Sequence, residues 1–226
     1  MPVLRNLEIF ECKINNAGAL ALVESPLFDG LRSLQLTVSF NEKLLKAIAA
    51  SGSAKTLRRL AVRADTLTSR MLAILAKSFP NLTTLSCHWI NPKTRWEINT
   101  KDLARFFSEL SCPNLRVLEL SLSVTDEAVQ AIIKNPTLSR LRTLQAQSYG
   151  TKKLTDKGFE ALLTSNALPE LNQVLLDGRR LDRAVPVLLN PAVRPNLRYL
   201  SVRVDKKLYA KLAAKRPLLR VFPEDA

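Results

Sequence analysis

The sequence predicts an α/β solenoid, a horseshoe with parallel strands on its concave face and helices on its convex face. Two observations predict it. The pattern Leu-x-x-Leu-x-Leu recurs along nearly the whole chain, with starting positions 27, 26, 25, 33, 26, 30, 26 and 22 residues apart. Between copies the hydrophobic period changes from that of a strand to that of a helix. A repeat of this length marks stacked units, each burying the apolar face that its neighbour leaves open. The 226 residues thus read as one domain, 1–226, of about eight repeats and a C-terminal partial repeat.

A strand opens each unit. Strands are expected at Leu4-Leu7-Ile9, Leu31-Leu34-Leu36, Leu57-Leu60-Val62, Leu82-Leu85-Cys87, Leu115-Leu118-Leu120, Leu141-Leu144-Ala146, Leu171-Val174-Leu176 and Leu197-Leu200-Val202, with a partial copy at Leu219-Phe222. The motif positions face the core and the residues between them face outward, because side chains alternate along a strand. A helix follows each strand. Thr125-Asp126-Glu127 and Thr155-Asp156 join a threonine cap to an acidic first turn, ahead of apolar residues at helical spacing. Prolines then end the helices and lead into the next strand, as in Pro80-Asn81-Leu82, Pro113-Asn114-Leu115, Pro169-Glu170-Leu171 and Pro195-Asn196-Leu197. The two longest spacings hold inserts, His88–Ile98 and Ser148–Lys153, both between strand and helix and so on one rim.

These motifs resemble a leucine-rich repeat protein of the ribonuclease-inhibitor-like kind. The stretch Leu154-Thr155-Asp156-Lys157-Gly158-Phe159-Glu160-Ala161-Leu162 is similar to the repeat consensus of bacterial members, about 26 residues long. The likeness covers residues 4–222. It implies a slot three residues after the strand's last core residue, normally Asn or Cys, that hydrogen-bonds the turning backbone. Cys12, Ser39, Asp65, Ser123 and Asp205 occupy it here, whereas Ile90, Tyr149 and Arg179 depart from the pattern. Such a motif is specific for fold and nearly silent on function.

Composition removes several function classes. Hydrophobic residues at 46% describe a globular chain and exclude a disordered one. Only 6 glycines, with no GxxxxGK[ST] or GxGxxG, exclude a glycine-built phosphate cradle. The single histidine, His88, excludes a cluster of histidine metal ligands. Cys87 precedes it on a strand and points to the other face, which defeats a Cys–His dyad. Glu8 and Glu119 stand on distant repeats rather than as a close pair. No enzyme activity and no cofactor are expected. The cysteines, Cys12, Cys87 and Cys112, form no CxxC pair, as in a reduced intracellular chain. No apolar run is long enough for a signal peptide or membrane span, so a soluble, cytoplasmic protein is expected.

Four surfaces could carry function. The outward strand positions make a mixed polar face that includes Phe10, Arg59, Arg63, His88, Glu119, Gln147, Tyr199 and Arg203. The first insert adds Trp89, Arg95 and Trp96, residue types enriched at binding hot spots. The residue after the first motif leucine is arginine at Arg5, Arg32, Arg58, Arg116, Arg142, Arg198 and Arg220, broken by Thr83 and Asn172. Stacking would line these cations up along one edge. Finally, the span Arg179–Arg220 carries +10 of the net +14, with its densest pairs at Arg179-Arg180, Lys206-Lys207 and Lys215-Arg216. The leading expectation is a non-catalytic protein-interaction scaffold that binds another protein through the concave face and the Trp-bearing rim. The runner-up is a nucleic-acid or ribonucleoprotein-associated protein that uses the basic end, where another anionic surface would also fit. Because solenoids need polar caps and the first motif begins at Leu4, a covering partner, a longer chain or self-association through the ends is also expected.

Overall fold

The computed structural model describes residues 4–10, 14–37, 40–64, 67–89, 98–122, 124–147, 154–180 and 183–223. Among them, nine parallel strands form one sheet in chain order. They are β1 (Asn6–Ile9), β2 (Ser33–Thr37), β3 (Arg59–Ala64), β4 (Thr84–Trp89), β5 (Val117–Leu120), β6 (Thr143–Gln147), β7 (Gln173–Arg180), β8 (Tyr199–Val204) and β9 (Arg220–Pro223). The return segments carry α1 (Asn16–Val23), α2 (Glu42–Ala50), α3 (Ser69–Ser78), α4 (Thr100–Glu109), α5 (Asp126–Lys134), α6 (Asp156–Thr164) and α7 (Lys206–Lys215). Strands stack about 4.8 Å apart while helices are about 10 Å across, so the helix layer is the longer one. The sheet therefore lies on the concave side of a leucine-rich-repeat-like solenoid, as the periodicity predicts.

The register carries the repeat through the core. Leu34, Leu60, Leu85, Leu118, Leu144, Val174 and Leu200 face one another strand by strand. All are 0% exposed. Burying each such side chain contributes about 1.5–3 kcal/mol. Every helix also starts the same way. The side chains of Asn15, Asn41, Thr68, Asn99, Thr125, Thr155 and Asp205 accept the N–H three residues on, which would otherwise lack a partner. Asp205, expected in the turn-bonding slot, thus serves as a helix cap. Cys12, Ser39, Asp65, Ile90, Ser123 and Tyr149 lie outside the described residues.

Three features depart from the expected unit. Between β7 and β8 the return is a 3-10 helix, Val185–Leu189, with Pro186 in its first turn and no side-chain cap from Ala184. Strand β7 runs on to Arg180, so Arg179 lies within the strand rather than in the turning slot, and its register with β8 shifts between Leu175 and Arg180. In β9, Val221 rather than Phe222 pairs with Leu200, which moves Arg220 into register with Tyr199.

Where the chain returns from helix to strand, side chains tie each unit to the carbonyls of the one before. Ser53 Oγ donates to Phe28 O, and Cys112 Sγ to Phe79 O. Asn135 Nδ2 donates to both Phe107 O and Leu110 O. Arg194 takes this role near the C-terminal end. Its guanidinium forks to Leu163 O, Leu168 O and Leu162 O, and Arg216 donates in turn to Val193 O and Arg194 O.

Candidate functional site: the concave sheet face and its arginine rim

The centre of the concave face is built where β3, β4 and β5 run side by side. Ala61, Ser86 and Glu119 stand in one register row, and Arg63 and His88 in the next. Ala61 and Ser86 are small and only 5% and 2% exposed, so they form a floor. Arg59 and Arg63 rise around it exposed, and His88 and Glu119 half-buried. Ser86 Oγ donates to Glu119 Oε2 at 2.5 Å. His88 Nε2 lies 3.6 Å from the same oxygen, and His88 Nδ1 lies 3.5 Å from Ser121 Oγ. The His88 contact, then the Ser86 hydrogen bond and the charge of Arg59, hold the Glu119 carboxyl below its ordinary pKa against the opposing effect of burial. The outcome is a carboxylate held on the strand platform beside Arg59 and the His88 imidazole.

The Ser121 hydroxyl sits at the outer limit of hydrogen-bond reach from the imidazole, and the Ser121 N–H is committed to Cys87 O at 2.9 Å. It therefore cannot serve as an oxyanion donor. The Cys87 thiol faces the core, and burial pushes its pKa up to about 12. Cys112, also buried, is pushed up to about 11.

Of the positions singled out from the sequence, Arg59, Arg63, His88 and Glu119 come together here. Phe10, 46% exposed beyond β1, and half-buried Tyr199 on β8 stand far to either side. Arg95 and Trp96 lie outside the described residues, as do the side chains of Trp89, Gln147, Arg179, Arg180 and Arg203. Ser86 and Ser121 were legible as outward residues but not as members of one network. Aligning adjacent motifs would have shown it, since Ser86 and Glu119 hold the same motif position.

The basic end is smaller than its charge count suggests. Lys206, Lys207 and Lys215 are exposed. Arg216 is not part of that surface: it is 7% exposed and its guanidinium is spent on backbone carbonyls, as is that of Arg194 at 8%.

The arginine slot forms a ladder at the strand entrances. Each rung's N–H donates to the carbonyl of the rung before, from Arg5 through Arg32, Arg58, Thr83, Arg116, Arg142 and Asn172 to Arg198, at 2.7–2.9 Å. The residue after each rung donates to that same carbonyl at 2.9–3.1 Å, which locks the stacking. The Arg220 N–H donates to Arg198 O at 2.9 Å, but β9 is offset by one residue, so Arg220 holds the position that follows a rung rather than a rung itself. Six arginines remain, all exposed, and Thr83 Oγ1 fills one gap by donating to Arg58 O.

On the opposite, helical side, a cleft of about 200 Å³ lies between α3 and α4, lined by Ser69, Leu72, Asp102 and Phe106 among others. Among the described residues, no helix is long and apolar enough to cross a membrane.

Neither a protein-family model nor a curated protein matches this chain. A chain in the crystal structure of the Rad7 and Elc1 complex in yeast has a similar fold, with a TM-score of 0.59 and 24% identity over 81% of this chain. This chain spans 44% of that one. The likeness extends to the fold alone.

Proposed function

We propose that the chain is a leucine-rich repeat protein of the ribonuclease-inhibitor-like kind that works as a non-catalytic interaction scaffold. Its concave face binds another protein, with Arg59, Arg63, His88 and Glu119 at the centre and the insert bearing Trp89, Arg95 and Trp96 at one rim. The observation that carries this reading is the central network. Mixed charges, pre-positioned by Ser86 and Ser121 over a small-residue floor, suit recognition of a protein surface with charges of both signs. A neighbour of similar fold that was solved in a protein complex supports the same reading. Buried, separate thiols at Cys87 and Cys112 fit a reducing, cytoplasmic setting. The nucleic-acid alternative at the basic end loses force, because Arg194 and Arg216 are turned inward.

Site-specific photo-crosslinking tests the placement. A benzophenone side chain at Thr84 or Gln145, on the concave face, is expected to trap one discrete protein in cells. The same group at Lys134 on the helical side is expected to trap none. Equal trapping from both sides, or trapping from Lys134 alone, would remove the site from the concave face.

A further inference from the structure

We infer that the arginine ladder is a second binding surface, a rail for an extended acidic segment of a protein. It is separate from the concave centre and does not depend on what binds there. The ladder is continuous in its backbone and nearly of one sign. Among the described residues, the acids in the segments that lead into the strands are Glu24, Asp29 and Glu170. Asp29 already accepts the Gly52 N–H. Among the described residues, the exposed guanidiniums of Arg32, Arg58 and Arg116 have no ion-pair partner. Like charges one strand spacing apart, about 4.8 Å, repel unless solvated, screened or neutralised by an anion.

The structure itself shows which anion fits. The Glu170 carboxylate sits on the ladder with Arg142 Nε donating to it at 2.8 Å. That hydrogen bond, with the charges of Arg142, Arg116 and Arg140, holds its pKa below the ordinary carboxylate value. The rail thus already holds one carboxylate, and further carboxylates can repeat the contact with the forked donors of the arginine rungs, bridging the gaps at Thr83 and Asn172. Eight rungs span about 34 Å, the length of roughly ten extended residues, so a short acidic run covers the row. Single-stranded nucleic acid fits less well. It relies on stacking aromatics, and the residues preceding the rungs are all leucine, with only Tyr199 aromatic among those that follow.

Fluorescence anisotropy with a labelled twelve-residue oligoglutamate peptide tests this, beside an oligothymidylate of equal charge. Oligoglutamate is expected to bind the native chain at low salt and to bind at least as tightly as the DNA. The variant Arg32→Gln/Arg58→Gln/Arg116→Gln is expected to bind it at least about tenfold more weakly. The charge-matched variant Lys207→Gln/Lys211→Gln/Lys215→Gln should stay within about twofold of native. Circular dichroism confirms that both variants fold, as their exposed positions lead one to expect. Failure of oligoglutamate to bind, tighter binding of the DNA, or an equal loss in the lysine variant each overturns the rail.

Discussion

Arg194→Ala is expected to lower the stability of the C-terminal units by about 3–5 kcal/mol, an effect usually reserved for large core truncations. The reason is the position of its guanidinium, 8% exposed and donating to three carbonyls, two of which belong to the last turn of α6. These carbonyls have no helical partner of their own, because a helix leaves its last four unpaired. The preceding return segments meet the same need with Ser53, Cys112 and Asn135. Here the 3-10 helix Val185–Leu189 replaces an α-helix, and the longer arginine spans the gap. Burial also pushes the Arg194 pKa down, the signature of a cation held for its hydrogen bonds rather than for a counter-charge. A second variant separates side chain from backbone. Arg194 has φ of +49°, in the left-handed region that favours glycine. Arg194→Gly should therefore be more stable than Arg194→Ala by about 1 kcal/mol, both remaining far below the native chain. Urea midpoints measure the order, and hydrogen exchange should show the loss concentrated in residues 183–223. Variants within about 0.5 kcal/mol of native would mean that water satisfies those carbonyls equally well.

Gly158→Ala is expected to destabilise by about 1–2 kcal/mol, although alanine in an ordinary helix interior gains roughly 1 kcal/mol over glycine. A Cβ at Gly158 would stand 2.1 Å from Asp126 Oδ1 and 2.8 Å from Leu154 Cδ1. Asp126 cannot simply swing away. Its carboxylate accepts the Thr155 N–H at 2.8 Å and the Thr155 hydroxyl at 2.6 Å, joining the first turn of α5 to the cap of α6. Asp126→Ala alone should cost about 1–2 kcal/mol through those lost bonds. In that background only the 2.8 Å contact with Leu154 Cδ1 remains, so Gly158→Ala should cost clearly less than in the native chain. This non-additivity, read from thermal or urea melts of the four-member cycle, identifies the contact. Strictly additive effects would place the cost of alanine elsewhere.

The architecture was legible because it repeats. Seven Leu-type core positions at a recurring spacing, each 0% exposed in the folded chain, over-determine a parallel sheet. The departures were not legible in the repeat. One return forms a 3-10 helix in place of an α-helix, and the last strand is offset by one residue, which takes Arg220 off the rung positions. Charge was least legible. In the sequence, Arg216 is indistinguishable from its neighbour Lys215, yet one lies inside against carbonyls and the other outside in water. Composition counts both alike, and only the path of the chain past Val193 and Arg194 decides between them. The concave network stood halfway. Its members occupy outward motif positions, but their joining depends on the register of β4 against β5, which spans the longest repeat.

The most direct test of a concave-face scaffold is the affinity of the photo-captured partner, purified, for the native chain and for Arg63→Ala and Glu119→Ala, at low and high salt. Each substitution is expected to weaken binding at least about tenfold, with Glu119→Ala acting mainly on dissociation and the native complex persisting at high salt. Unchanged affinity in both variants would contradict it, as would a native complex that dissolves with the steep salt dependence of a polyanion contact.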